Sequence, residues 1–178
     1  MKKNQLKLWA LALWAALAAC QKVEAPKEEW NIVSPSSQLV FTVFQKDSSI
    51  QGESQKMLYY KVQDLRKDRL TEIIEPSQLG LAREDARFVE NLKFISWEPV
   101  KEVRDEFNTA SGKTKTVKRL GKELVLHFEN PDRLLIDLVC RIYDDGVAFR
   151  YRFPASDSSR YTITQELTAF NLPTGGLA

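Results

Sequence analysis

The chain has 178 residues, of which 43% are hydrophobic and 28% are charged, and its formal net charge is +2. This length allows one domain, and the mixture of apolar and charged residues excludes a disordered chain or one that lies wholly in a membrane. The net charge is also too small for a nucleic-acid binder, which carries a clear excess of Lys and Arg. Two cysteines, Cys20 and Cys140, are too few for a disulfide framework.

Residues 1–19 have the pattern of a secretory signal, because three lysines precede a short apolar run that ends at Ala19. The run is shorter than the roughly 20 residues that span a bilayer. Its end, Leu17-Ala18-Ala19-Cys20, resembles the signal of bacterial lipoproteins. We therefore expect a lipoprotein signal peptide over residues 1–19, a lipid anchor on Cys20 and a tether over residues 20–33. The protein would then be an exported lipoprotein of the outer membrane, facing the periplasm or the surface; an ordinary signal peptide with a chance cysteine is the alternative.

Short runs of strand-forming residues follow, with turn residues between them. The predicted strands are Leu39–Phe44, Met57–Gln63, Thr71–Ile74, Leu92–Trp97, Glu123–Phe128 and Tyr161–Glu166. Pro76 and Pro99 are expected to end the strands before them, because proline cannot donate a ladder hydrogen bond. Outside the signal, Val100–Phe107 is the one stretch compatible with a short helix. Many short strands at close spacing predict an all-β fold, an antiparallel β-sandwich.

The clearest local pattern is a hairpin over Asp137–Pro154, where apolar and polar residues alternate on both sides of Asp145-Gly146. An Asp-Gly pair between alternating runs is a strong hairpin signal, and a two-residue turn there fixes the register. On the buried face, this register pairs Ile142 with Phe149, Cys140 with Tyr151, and Leu138 with Phe153. On the other face Arg141 would lie opposite Arg150, which indicates either a solvated basic face or a surface for a partner or ligand.

Residue types that carry catalysis are sparse. His127 is the one histidine of the chain, and a single histidine forms neither a metal cluster nor a catalytic triad. Cys140 lies in the apolar alternation of the hairpin, which predicts a buried and inert thiol. Asp144 and Asp145 are adjacent and would point to opposite faces, and turn aspartates have a backbone role. These residues predict no catalytic site, no metal site and no cofactor in this chain.

Further segments show a pattern that extends over nearly all of residues 34–173. They are Leu39–Val43, Ile74–Leu81, Trp97–Val100, Glu102–Asn108, Arg141–Pro154 and Glu166–Pro173. Together and in this order they resemble the N-terminal domain of glycoside hydrolase family 97. The resemblance implies a sandwich of the galactose-mutarotase-like, carbohydrate-binding type over residues 34–178, incomplete at its C-terminal end.

The same resemblance implies a role in an α-glucosidase or α-galactosidase, whose full-length form uses calcium. In this family the N-terminal domain packs on a catalytic (β/α)8 barrel and forms part of the pocket wall. The implied partners are therefore an α-glucoside or α-galactoside, the barrel and, through Cys20, a membrane. The catalytic carboxylates belong to the barrel, and the calcium-binding glutamate of the N-terminal domain lies beyond Pro173. No catalytic or metal residue is therefore assigned, and the chain alone is expected to be inactive.

The chain departs from the family after Val100, which runs directly into Lys101–Arg104 without the usual aromatic-Gly-Glu insertion. Arg104 and Asn108 remain candidates for contacts with the sugar or the barrel, since arginine binds bidentately and asparagine pairs with hydroxyls. Arg150, on the basic face of the hairpin, is a third candidate. The alternatives are a plain surface loop at these positions, a free-standing lipid-anchored carbohydrate-binding module, and a truncated fragment without function.

Overall fold

The structure, a computed structural model, describes residues 28–50, 52–66, 70–108, 116–154 and 159–174. Every regular element in these ranges is a β-strand. Within the same ranges, no helix is long and apolar enough to cross a membrane. The expected signal peptide and Cys20 lie outside the described residues. The last part of the tether expected over residues 20–33, Glu29–Val33, is instead a strand with a buried Trp30.

The strands form two four-stranded antiparallel sheets and one small sheet. The first sheet consists of β1 (Glu29–Val33), β2 (Leu39–Ile50), β3 (Glu53–Asp64) and β4 (Thr71–Gln78). The second sheet consists of β7 (Lys93–Asn108), β8 (Thr116–Glu129), β9 (Leu135–Tyr143) and β10 (Gly146–Arg152). In both sheets, strands that follow each other in the chain are neighbours. The small sheet places β5 (Leu81–Arg83) between β6 (Arg87–Phe88) and β11 (Ile163–Glu166).

The core lies between the two large sheets, where every second residue of the central strands points inward. The first sheet contributes Trp30, Ile32, Phe41, Val43, Leu58, Tyr60 and Val62. The second sheet contributes Leu124, Leu126, Phe128, Ile136, Leu138, Cys140 and Ile142. Cys140 is fully buried, and burial raises the pKa of its thiol far above the usual value. The predicted all-β antiparallel sandwich and the buried thiol are confirmed.

The β9–β10 hairpin keeps its predicted buried face but turns one residue earlier than predicted. Gly146 pairs with Tyr143, so Asp144 and Asp145 are the two turn residues. Both aspartates have partners that hold them in the turn. Asp144 accepts hydrogen bonds from the backbone N–H and the hydroxyl of Ser36, at 2.8 and 2.7 Å, and Asp145 forms an ion pair with Arg119.

A turn one residue earlier shifts the register of β10 by two residues, which leaves every side chain on its predicted face. The observed pairs on the buried face are Ile142 with Val147, Cys140 with Phe149, and Leu138 with Tyr151. On the outer face Arg141 lies opposite Ala148, and Arg150 lies opposite Val139. The predicted Arg141–Arg150 pair was therefore wrong.

Two strands continue past the prolines that were expected to end them, because both prolines lie at bulges on edge strands. Pro76 lies inside β4, and Pro99 lies inside β7 between Glu98 and Lys101, where the register shifts. At a bulge on an edge strand, the missing N–H of proline costs no regular ladder bond. The predicted strand ends at the two prolines were wrong. The possible helix at Val100–Phe107 was also wrong, because this stretch belongs to β7.

Candidate functional site

Strands β7 and β8 extend beyond the rest of their sheet as a two-stranded arm, formed by residues 103–108 and 116–121. The pairing of β8 with β9 stops at Gly121, whereas its pairing with β7 continues to Asn108. Among the described strands, each half of the arm therefore has only the other half as a neighbour. The arm exposes large apolar side chains, since Phe107 is 50% and Leu120 is 43% exposed.

Arg104 and Asn108 lie on one face of this arm, four residues apart on the same strand. Both are exposed and have local partners. Arg104 donates to Glu102, with 2.9 Å between Nη2 and Oε1, and Asn108 accepts a hydrogen bond of 2.8 Å from the Thr116 hydroxyl. Neither residue contacts a carboxylate pair, so the two side chains can donate to or accept from a hydroxylated ligand but have no catalytic geometry.

The structure does not bring Arg150 to Arg104 and Asn108. Arg150 lies on the outer face of the second sheet, which is the face directed away from the core. Asp105 of the arm shares this outer face, because its carboxylate accepts a hydrogen bond of 2.5 Å from Tyr143. Arg104 and Asn108 alternate with Asp105 along β7 and therefore lie on the opposite face. The three candidates belong to two separate surfaces.

One ion-pair network on the outer face centres on Asp137, whose side chain is only 2% exposed. Its Oδ1 lies 2.7 Å from Nδ1 of His127, and its Oδ2 accepts from Nε of Arg152 at 2.8 Å. Glu98 extends the network, since it lies 3.5 Å from Arg152 and 2.7 Å from Lys101. A buried carboxylate needs such partners to offset its lost hydration. His127 thus has a buried carboxylate as its hydrogen-bond partner.

A second network lies nearer the β9–β10 turn. Arg141 donates to Glu123, with 2.7 Å between Nε and Oε2, and lies 3.5 Å from Asp105. The hydrogen bond to Glu123 is the main cause that raises the pKa of Arg141. The hydroxyl of Tyr143 is bound to Asp105, and burial together with this bond raises its pKa. Most charges of the outer face therefore neutralise each other.

A shallow depression of about 250 Å³ lies over the β9–β10 half of the outer face. It is lined by Val139, Arg141, Tyr143, Ala148, Phe149 and Arg150. Arg150 has no ion-pair partner among the residues that the structure describes. Its guanidinium is therefore available to an anionic or hydroxylated group, whereas Arg141 already binds two carboxylates.

In the described ranges, no group of three or more His, Cys, Asp or Glu side chains could hold a metal ion. The adjacent carboxylates of the turn are engaged, Asp144 by Ser36 and Asp145 by Arg119.

The arm is the feature that the sequence analysis missed. The prediction took Pro99 as the end of a strand. The residues after it, Val100–Phe107, were then read as a possible short helix, although all of them belong to β7. The apolar residues Val100, Val103 and Phe107 have helical spacing, and only the pairing of this stretch with β8 identifies it as a strand.

Comparison with known proteins gives one consistent result. The family described as glycosyl-hydrolase 97 N-terminal matches residues 32–178. A probable retaining α-galactosidase of Streptomyces bingchenggensis (strain BCW-1) is 33% identical over 106 residues. The matched region is 60% of this chain and 16% of that protein.

Solved structures share the fold. The crystal structure of a β-arabinopyranosidase superposes with a TM-score of 0.65 at 26% identity, over 81% of this chain and 21% of that chain. A glycoside hydrolase family 97 enzyme from Pseudoalteromonas sp. strain K8, solved with panose and with acarbose, gives a TM-score of 0.61 at 21% identity. That match covers 82% of this chain and 20% of the enzyme. The chain thus spans about a fifth or less of the length of these relatives.

Proposed function

Because this chain belongs to the family of glycosyl-hydrolase 97 N-terminal domains, we propose that it is the non-catalytic, carbohydrate-contacting domain of an α-glycosidase. It packs on a catalytic (β/α)8 barrel and contributes part of the wall of the substrate pocket. The observation that carries the proposal is the family match over residues 32–178. Glycoside hydrolysis takes two carboxylates on either side of the scissile bond, and in this proposal the barrel supplies both.

The arm is the part of the domain that we assign to the pocket wall. It projects from the sheet, so it can reach a neighbouring domain without disturbing the core. Arg104 and Asn108 share one of its faces and offer guanidinium and amide groups, which pair with sugar hydroxyls. Arg150 is not part of this assignment, since it lies on the other face of the sheet.

An α-glucoside or α-galactoside is the proposed ligand. One relative of this chain is named a probable retaining α-galactosidase, and the Pseudoalteromonas enzyme was solved with panose and with acarbose. Calcium is proposed for the full-length enzyme, without a site on the described residues. The export and outer-membrane location proposed for the protein rest on the signal pattern of residues 1–19 and on Cys20.

The pocket-wall assignment is tested by calorimetric titration of the full-length chain with panose and with acarbose. Weak binding is expected, and Arg104→Ala or Asn108→Ala should each reduce it about fivefold, the effect of one lost hydrogen bond. Arg133→Ala is the matched control, because Arg133 is an exposed arginine outside the arm. Equal binding by the arm variants and the control would overturn the assignment.

The scaffold role is tested separately, by capture of the catalytic portion of the Streptomyces α-galactosidase on the immobilised chain. Association supports the domain role. Sugar binding without association would favour a free-standing carbohydrate-binding module, and the absence of both would favour a fragment without function.

The anchor is tested by fractionation of cells that are fed a labelled fatty acid. Wild-type chain should be labelled and found with membranes, because lipid chains hold a protein at a bilayer. Cys20→Ala should remove the label and release the chain. Unlabelled wild-type chain in the soluble fraction would contradict the proposed anchor.

A further inference from the structure

The outer edges of the two large sheets differ in how they are protected. An unpaired strand edge attracts other chains, and proteins protect such edges with prolines, bulges, short strands or covering segments. Strand β7 has two bulges and a proline, and β4 has bulges, Pro76 and a bridge to Asn171. Strand β1 has only five residues. Strand β10, in contrast, has seven residues in regular register with β9, without a bulge or a proline.

The position of the turn shows which N–H and C=O groups of β10 do not bond to β9. In a hairpin with a two-residue turn, the residues that flank the turn, here Tyr143 and Gly146, form a hydrogen-bonded pair. Hydrogen-bonded and non-bonded pairs then alternate along the ladder. The N–H and C=O groups of Val147, Phe149 and Tyr151 therefore point away from β9, toward the open side of the sheet.

Apolar surface continues beyond this edge. Phe149 and Tyr151 are only half-buried, although both belong to the inward face of β10. Phe170 stacks on Phe149 with 6.3 Å between ring centroids, yet Phe170 remains 65% exposed. Tyr60 lies 5.0 Å from Phe149 on the side of the first sheet. The inward side chains of an added strand would cover these rings, which is the pattern of strand addition to a sheet edge.

The outer face of the same edge carries a charge that selects the partner. Arg152 is bound to Asp137 and Arg141 to Glu123, whereas Arg150 has no ion-pair partner among the described residues. An acidic side chain on an added strand, opposite or diagonal to Arg150, would be favourable, and a basic one would not. A second copy of β10 is disfavoured, because it would bring its own Arg150 close to this one.

We propose that the open edge of β10 accepts a β-strand from the remainder of the glycosidase. This strand presents apolar side chains to the rings around Phe149 and an Asp or Glu to Arg150. The inference rests on the proposed function, because the strand comes from polypeptide outside the fifth of its relatives that this chain spans. It gives the domain a second contact surface, at the sheet edge opposite β7, the strand that carries Arg104 and Asn108.

The chemistry of the edge is tested with two short peptides that alternate valine with glutamate or valine with lysine. Binding to the full-length chain in mild detergent is followed by fluorescence anisotropy, and amide hydrogen exchange locates it. The glutamate peptide should bind about fivefold more tightly and slow exchange at Val147, Phe149 and Tyr151. Arg150→Glu should reverse the preference. Lys46→Glu, which changes an exposed lysine on β2, is the matched control and should leave it unchanged.

The source of the strand is tested with the catalytic portion of the Streptomyces α-galactosidase, whose capture by the chain should fall with Arg150→Glu and not with Lys46→Glu. If no peptide slows exchange in β10, or if both peptides bind equally, the proposal is overturned. Protection of β10 that grows with chain concentration and needs no peptide would identify a second copy as the occupant and also overturn it.

Capture that is insensitive to Arg150→Glu would overturn strand addition and leave the proposed function standing. Peptide protection of β10 without any capture would support the edge site and count against the proposed function.

Discussion

The inner and outer faces of the second sheet are built from alternate residues of the same strands, yet different forces hold them. The inner face is apolar, and its side chains share one core with the first sheet. The outer face is held by directed ion pairs, chiefly around Asp137 and Arg141. Burial of apolar area is non-directional, whereas ion pairs consume donors and acceptors one by one. The inner face therefore sets stability, and the outer face sets which polar groups remain available to a partner.

The largest expected effect comes from breaking the inner face. Phe128 is 1% exposed and makes edge contacts with the rings of Trp30 and Phe94. Phe128→Ala should destabilise the domain by about 3–5 kcal/mol through lost burial and a cavity. Phe149→Ala should cost less, about 2–3 kcal/mol, because Phe149 is half-buried at the open edge. Urea melts measure both, and a larger loss for Phe149→Ala than for Phe128→Ala would reverse the assignment of the core.

The outer face should give a smaller loss when its central carboxylate is removed. Asp137→Ala leaves His127 and Arg152 without their shared partner, but both side chains are partly exposed and regain water. The expected loss is about 1–3 kcal/mol. The same urea melts check it, with Glu106→Ala on the exposed arm as control. A loss as large as that of Phe128→Ala would show that the outer face contributes to stability as much as the core does.

Protonation should weaken the outer face gradually. The hydrogen bond from Lys101 lowers the pKa of Glu98, and the Ser36 hydroxyl lowers the pKa of Asp144. A carboxyl with a lowered pKa in the folded state stabilises the fold above its unfolded pKa, and this contribution disappears as the pH falls through the folded pKa. Stability should therefore decline as the pH drops below about 4. Thermal melts from pH 7 to acid should show a shallower decline for Glu98→Gln, and an unchanged slope would contradict this source of acid sensitivity.

The smallest effect is expected at the β9–β10 turn. Gly146 does not have a positive φ, and a Cβ placed there meets no atom within 4 Å. Gly146→Val should therefore change stability by less than about 0.5 kcal/mol, as at an unremarkable surface position. The turn predicted from the sequence, with Gly146 at a left-handed position, would instead give a loss of about 1–3 kcal/mol. A loss of that size, measured from urea melts, would support the register predicted from the sequence, with Asp145 and Gly146 in the turn.

The two faces also differ from the hairpin register in how well the sequence predicts them. Alternation has a period of two, so the buried sides of β8 and β9 follow from Leu124, Leu126 and Leu138 whatever the exact register. The register itself depended on the contacts of Asp144 and Asp145 with Ser36 and Arg119, which are distant in the chain. Such contacts have no local signal.

The continuous β7 was unpredictable for a related reason. A proline ends a strand in the interior of a sheet but costs little at a bulge on an edge strand. Pro99 lies at such a bulge, and the sequence does not show that β7 is an edge strand. The candidate residues Arg104 and Asn108 were found by family resemblance. Their separation from Arg150 required the pairing of β7, β8 and β9.

The most direct test of the central claim is an assay of the purified chain with nitrophenyl α-glucoside and α-galactoside in the presence of calcium. If a separate catalytic barrel supplies both carboxylates, as proposed, the chain should give no release of nitrophenol above a protein-free blank. Calcium-dependent release that scales with the amount of chain and disappears in Phe128→Ala, in which the fold is weakened, would show that this domain is itself catalytic and would contradict the account.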